Sequence, residues 1–323
     1  MLDKIKNLNP KSKKEVLVII DSNSVIYRAY HALPKLTNKK GELVNAVYGF
    51  LLVFFKAIKD FHPDFIAAAF DLPLPTFRHK KYDGYKANRP KAPEDLRSQM
   101  PIVKEFLNVF SVPVFEKEGF EADDIVGTIV QSTEKKKEPP EIIILSGDLD
   151  SLQLVDYRTK VYALRKGIKD IILYGEEQVE EKFQGLKPKQ LLDFKSLRGD
   201  PSDNIPGVKG IGEKTAIELI LEFGSLENIY KKIEKKSGDL KIKKRIKDLL
   251  IEYKEQAFLS GFLAKLEKNV PIDFSLENCM WLNFDIEKAT RLLEKFEFYS
   301  LIKRLPEIKK REEDVVRENL KLL

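Results

Sequence analysis

VLVIID, residues 16–21, decides how this chain is read: an unbroken apolar run, rich in β-branched residues, ends in an aspartate. A continuous run rather than an alternating one marks a strand covered on both faces, the usual case in parallel sheets flanked by helices. Similar runs lie at Phe65–Phe70 and Ile142–Leu145, with weaker ones at Val112–Phe115 and Lys160–Leu164. Helical patterns fall between them at Val44–Phe61, Asp95–Phe110 and Ala122–Glu134. KKKEPPE (135–141) reads as the loop between the last of these and the next strand. This alternation predicts an α/β domain with a mostly parallel sheet flanked by helices.

Near residue 185 the strand signals stop. Short amphipathic helices are predicted at Pro188–Leu197, Glu213–Phe223, Leu240–Tyr253, Asp285–Lys295 and Phe298–Leu305. The expected division is a basic tail over 1–14, the α/β domain over 15–185, a helical subdomain over 186–305 and a charged tail over 306–323.

The 323 residues carry a net charge of +6, which argues nothing until it is located. Lys231–Leu250 holds nine Lys/Arg against three Asp/Glu, and Phe77–Lys91 holds six Lys/Arg against Asp83 alone. Such patches suit phosphate backbones, although a basic helix face can also be merely solvated. The single cysteine, Cys279, excludes an intramolecular disulfide and a cysteine-rich zinc site. His31, His62 and His79 are too scattered to suggest a histidine-held metal. The N-terminus lacks the apolar core of a signal peptide, and no apolar run is long enough to span a bilayer. A cytoplasmic protein is the expectation.

The acids are less evenly spread than the bases. Val16–Ile20 runs into Asp21, Phe65–Phe70 into Asp71, and Ile142–Leu145 into Asp148 and Asp150. Glu121, Asp123 and Asp124 open a helix just beyond Val112–Phe115. Ligands of open parallel sheets bind at the carboxyl ends of strands, so these acids are expected on one rim. Any one of them could be a helix cap. Capping needs one residue per helix, however, and does not explain Glu121, Asp123 and Asp124 together, or Asp148 beside Asp150. Converged carboxylates repel unless a cation neutralises them, and all-oxygen ligation suits Mg²⁺ or Mn²⁺ rather than zinc. Acid-rich sites holding two such ions roughly 3.5–4 Å apart hydrolyse phosphodiesters.

Leu197–Ile220 reads LRGDPSDNIPGVKGIGEKTAIELI. A P-loop is excluded because Glu213 separates Gly212 from Lys214 and no strand precedes. The remaining pattern is helix, a turn on Gly207, Gly210 and Gly212, and a second helix: a helix-hairpin-helix over 203–220 that can grip duplex backbone. Asp200 and Asp203 sit just upstream, within reach of the acidic rim.

These stretches resemble the 5′-nuclease (5′→3′ exonuclease and flap endonuclease) domain found at the N-terminus of bacterial DNA polymerase I. The resemblance rests on LVIIDSNSVIYRAYHAL (17–33), FIAAAFD (65–71), FRHKKYDGYKANRP (77–90), GFEADD (119–124), LSGDLDSLQLV (145–155) and LRGDPSDNIPGVKGIGEKTA (197–216), with LLEKFEFYSLIKRL (292–305) at the end. It implies a PIN-like 5′-nuclease fold with a helical arch near 74–100. It implies Asp21, Asp71, Glu121, Asp123 and Asp124 around one metal, and Asp148, Asp150, Asp200 and Asp203 around a second. Lys86 and Arg89 become catalytic, Tyr85 lines the gateway for a 5′ single strand, and Arg28 lies near the site. Lys209, Lys214 and Thr215 join Gly207, Gly210 and Gly212 as DNA-binding residues.

The cofactors so implied are two Mg²⁺ ions, with Mn²⁺ as substitute and K⁺ as a further ion at the helix-hairpin-helix. The partners are DNA with 5′ flaps, nicks or ends, RNA primers on DNA, and a DNA polymerase acting in trans on a monomer. No polymerase domain follows, so the chain reads as a free-standing nuclease or a fragment ending in the linker. The rival readings are a non-catalytic junction-binding module, which would lack carboxylates, and a PIN-type ribonuclease, which would lack the helix-hairpin-helix.

Overall fold

The computed structural model describes residues 14–235, 242–281 and 284–305. Both predicted tails and part of the Lys231–Leu250 patch therefore lie largely outside the described residues.

Six strands form one sheet: β1 (Val16–Asp21), β2 (Phe65–Ala69), β3 (Val114–Phe115), β4 (Glu141–Ser146), β5 (Thr159–Leu164) and β6 (Ile171–Tyr174). Their order is β3-β2-β1-β4-β5-β6, with every pairing parallel except β5 with β6. The chain lays β1, β2 and β3 outward in one direction and then returns to place β4 beside β1. That reversal opens a crevice at the carboxyl ends of β1 and β4, where ligands of such sheets bind. The strand β6 was not foreseen; it is a four-residue antiparallel edge directly after the turn 165–170.

The helices of the first half are α1 (Ser22–Ala32), α2 (Asn45–Phe61), α3 (Phe77–Lys81), α4 (Glu94–Arg97), α5 (Met100–Val109), α6 (Ala122–Glu134) and α7 (Glu176–Lys182). The predicted single helix over Asp95–Phe110 is two pieces. Pro101 cannot donate the backbone bond that would continue α4 into α5. Gln99, at the break, instead accepts the Ala46 backbone N–H with its side chain at 2.8 Å, satisfying the start of α2. The second half adds α8 (Leu191–Arg198), α9 (Glu213–Phe223), α10 (Leu226–Glu234), α11 (Lys244–Glu252), α12 (Lys254–Ala264), α13 (Ile286–Lys295) and α14 (Tyr299–Ile302).

Alternation along β1 divides the core. Leu17 and Ile19 join Ile125 and Ile129 of α6 on one face, and the cluster continues through Phe194 of α8 and Ile217 of α9. Val18 and Ile20 join Phe50 and Phe54 of α2 and Phe106 of α5 on the other. Burying each such aromatic contributes about 1.5–3 kcal/mol. The helices after residue 185 are not one block. Those from α8 to α12 cover the α6 face, whereas Leu293 of α13, Phe296 at its C-terminal cap and Leu301 of α14 lie in the α2–α5 cluster. Trp281 fixes that crossing: its backbone N–H donates to Asp64 O at 2.8 Å, and its indole N–H to Phe110 O at 3.0 Å. No described helix is long and apolar enough to cross a membrane.

Candidate metal centre and basic gateway

Four of the acids accept hydrogen bonds from nearby structure, so the capping readings hold in part. Asp21 caps α1, accepting from Ser24 N, and its other oxygen accepts the Ser146 hydroxyl at 2.7 Å. Asp71 accepts the Ala122 N–H at 2.7 Å, which pins the end of β2 to the start of α6. Asp148 accepts the Asp150 N–H at 2.9 Å, and Asp200 accepts Ser202 N–H at 2.9 Å. These bonds leave carboxylate lone pairs unfilled. Arg28, on α1, donates to Gly147 O at 2.7 Å and so clasps the Ser146–Asp148 turn. Gly147 is required there, because a Cβ would lie 2.8 Å from Ser24 O.

Asp124 departs from its expected place. It is fully buried, with both oxygens bound to Arg78 at 2.7 Å, and it also accepts the backbone N–H groups of Glu121 (3.1 Å) and Glu267 (2.8 Å). Four donors fill its carboxylate. The helix-cap reading is the right one for this residue, and no lone pair remains for a cation.

The electrostatics mark the other acids as undercompensated. Burial and the nearby Asp21 and Glu121 push Asp71 up to about 6. Burial and Asp150 push Asp148 up to about 7. Asp21 is raised by burial, and Asp123 by burial with Glu121 beside it. Two acids run the other way. Burial alone would raise Glu121 and Asp200, but Lys86 with Arg78 outweighs it at Glu121, and Lys195 holds Asp200 down to about 2.

The basic segment Phe77–Lys91 folds down onto these acids. Lys86 adopts a left-handed backbone (φ 54°), which costs energy for a side chain with a Cβ and needs a reason. Its N–H donates to Asp203 O at 2.9 Å, and its ammonium lies 2.7 Å from Glu121 and 3.8 Å from Asp203. Arg89 pairs with Asp203 through its guanidinium. Tyr85, expected to stack on a base, has its ring buried at 3% exposure, with the hydroxyl donating to Glu121 at 2.9 Å.

Two residues went unnoticed in the sequence. Lys195, on α8, places its ammonium on both Asp150 and Asp200. Arg78, on α3, ties Asp124 and Glu121 to the carbonyls of Leu263 and Lys265 at the end of α12. Arg78 sits in the basic segment Phe77–Lys91, whose other members drew attention; Lys195 lies in the predicted helix Pro188–Leu197, where only its spacing five residues before Asp200 offered a signal.

The glycine turn divides by function. Gly207 is interior: its N–H donates to Ser260 at 2.9 Å, its carbonyl accepts from Gln256 at 2.6 Å, and a Cβ would lie 2.3 Å from Gly199 N. Lys209, Gly210, Gly212 and Lys214 are exposed, and Thr215 is half-buried in the first turn of α9. Gly212 caps that helix with open space where a Cβ would stand. Backbone approach by a phosphate is therefore open at Gly210 and Gly212 but not at Gly207.

A cation fits the donor set. Among the described residues no three acids, histidines or cysteines already converge in ligand geometry; ammonium groups lie among the acids instead. All the donors are hard oxygens and several carboxyls are pushed up, so a divalent cation would relieve their mutual repulsion.

Residues 16–184 match the 5′-3′ exonuclease N-terminal resolvase-like domain, and residues 186–287 match the 5′-3′ exonuclease C-terminal SAM fold. DNA polymerase I of Bacillus subtilis is 42% identical over 296 residues, 92% of this chain and 33% of the relative. DNA polymerase I of Caldicellulosiruptor bescii is 42% identical over 293 residues, again 33% of its length. The chain thus spans about one third of these relatives. Among solved structures, the bacteriophage T5 flap endonuclease in a complex with DNA and metal ions superposes with a TM-score of 0.63 at 20% identity, covering 90% of this chain and all of that one. The catalytic core of Rad2 in complex with a DNA substrate gives 0.56 at 19% identity, covering 91% of this chain and 93% of that one. A parallel sheet with an acidic crevice at its switch point, matched over both domains in order, places the chain in the 5′-3′ exonuclease family.

Proposed function

We propose that this chain is a Mg²⁺-dependent 5′→3′ exonuclease and flap endonuclease that hydrolyses DNA phosphodiesters at 5′ flaps, nicks and ends during primer removal and repair. The observation that carries it is the gathering of acids from β1, β2, α6, β4 and the turn after α8 beneath Lys86 and Arg89. Asp21, Asp71, Glu121 and Asp123 would hold one ion, and Asp148, Asp150, Asp200 and Asp203 the other. Asp124 is left out of the ligand set because Arg78 and two backbone N–H groups occupy it. Bound there, the ions supply a water of lowered pKa and neutralise the leaving 3′ oxygen. Lys86 and Arg89, turned from Glu121 and Asp203 toward the substrate, stabilise charge on the phosphoryl oxygens. Tyr85 leaves its buried seat with them to line the gateway near 74–100. The exposed face of the helix-hairpin-helix (203–220), with K⁺ as a candidate ion, holds duplex backbone. The chain would act as a cytoplasmic monomer beside a DNA polymerase, on RNA primers as well as DNA.

The decisive assay uses end-labelled flap, nicked and blunt DNA with and without added Mg²⁺ or Mn²⁺. Cutting is expected with either ion and none in EDTA; robust cutting in chelator would remove the metal mechanism. Calcium should support binding without turnover, since its looser geometry misplaces the attacking water.

The two basic regions should have separable effects. Lys86→Ala is expected to lower the single-turnover rate by something like 10²-fold, the scale of one lost electrostatic donor, with little change in binding. Replacing Lys209 and Lys214 with alanine should weaken duplex binding for every sequence and flatten log affinity against log salt by about one unit per lost contact. Saturating rates should stay near normal. Titrations of both variants at several salt concentrations decide this, and matching losses of rate and affinity in both would end the division.

A further inference from the structure

The second group of acids contains a built-in cation. Lys195 projects from the last turn of α8, and its side chain is only 15% exposed. Its ammonium is paired with Asp150 and lies 2.8 Å from Asp200, whose own exposures are 17% and 14%. Asp150 starts the 3-10 turn after β4, while Asp200 follows α8, so one ammonium joins the two elements that frame the crevice. The backbone aims it there: the carbonyl of Lys195 accepts the N–H of Gly199, which closes the helix in a left-handed conformation (φ 77°) and turns the chain back toward Asp200. Lys86 bridges Glu121 and Asp203 in the same manner on the neighbouring side.

We propose that Lys195 is a resident counter-cation of the second metal position, holding Asp150 and Asp200 together until a divalent ion displaces it. Metal loading at this position is then an exchange of one cation for another. The exchange has two consequences of opposite sign. Without metal, Lys195 stabilises the fold by screening Asp148, Asp150 and Asp200 from one another. Toward metal, it competes, because the same oxygens cannot hold an ammonium and a cation at once. The ammonium sits on an oxygen of Asp150 and an oxygen of Asp200 together, so an incoming ion meets a real competitor for both carboxylates. Once displaced, the ammonium stays tethered beside the ion and is left free to meet a substrate phosphate.

This inference rests on the metal reading above, and its test separates the two. Isothermal titration with Ca²⁺ alone, without DNA, would be run on the native chain, on Lys195→Met, which keeps the apolar stem without the charge, and on Lys195→Arg. The methionine variant should bind Ca²⁺ on the order of tenfold more tightly, the arginine variant should resemble the native chain, and the metal-free melting temperature of the methionine variant should fall. Affinity unchanged or weakened in Lys195→Met overturns the exchange, whereas no Ca²⁺ binding by the native chain overturns the metal centre itself. Lysine acylation footprinting of the native protein needs no variant to fold. Lys195 should be protected without metal and should react on adding Ca²⁺; equal protection in both states overturns the displacement.

Discussion

Replacing Asp148 with asparagine is expected to lower single-turnover cutting on the order of 10³-fold, while flap-DNA affinity stays equal or tightens. The substitution is informative because of what it leaves intact. Asparagine keeps the oxygen that accepts the Asp150 N–H at 2.9 Å, so the turn after β4 has no reason to move. Only the charge goes. In the metal-free protein burial and Asp150 push Asp148 up to about 7, so the folded state binds a proton there that the unfolded chain releases near pH 4. Folded stability therefore declines as pH rises from about 4 to about 7, and the asparagine variant should escape that decline. A chelated variant that melts no lower than wild type at pH 8, yet fails to cut with Mg²⁺, marks Asp148 as a ligand. A variant that cuts at the native rate with Mg²⁺ marks it as a cap alone.

The fold was legible where burial was extreme and local. The apolar runs of β1, β2 and β4 cannot be read as surface segments, and they reveal both the parallel sheet and the rim on which Asp21, Asp71 and Asp148 stand. The amphipathic α9 was legible to the residue because glycines bracket it on both sides. What escaped was set by contacts distant in sequence. Nothing near α13 announces that it crosses to the α5 side; Trp281 decides that by bonding to Phe110. Position after strands and at helix starts picks the acids out as a group, but spacing does not separate their surroundings. Asp123 and Asp124 are adjacent on one helix, yet the rotation of about 100° between neighbours leaves one at the crevice and buries the other against Arg78. Gly207 and Gly212 look alike in the string, and only the chain packed against Gly207 tells them apart.

Arg78→Ala should cost about 3–5 kcal/mol of folding stability, the scale of breaking a buried ion pair by removing one partner. Its side chain is 2% exposed, and all of its donors are used: Nε to Leu263 O at 2.9 Å, one terminal nitrogen to Asp124 and Glu121, the other to Asp124 and Lys265 O. Truncation leaves the fully buried Asp124 carboxylate with backbone donors alone and strands two carbonyls at the end of α12. Arg78→Lys should recover little, because one ammonium cannot replace a fork that serves a carboxylate and two carbonyls. The pair Arg78→Met with Asp124→Leu should recover much of the loss, since a buried apolar pair of similar volume is often neutral or better. Urea denaturation of the four proteins measures this directly, and a loss below about 1 kcal/mol for Arg78→Ala would show that the pair is not holding the fold. Function enters because the same guanidinium lies 3.1 Å from Glu121, the acid that Lys86 and Tyr85 also hold. The double variant, restored in stability, should therefore still cut more slowly than wild type, since Glu121 has lost the contact that fixes its carboxylate toward the crevice. Were its rate native, Arg78 would be a pin between α3, α6 and α12 with no bearing on the position of the metal ligand.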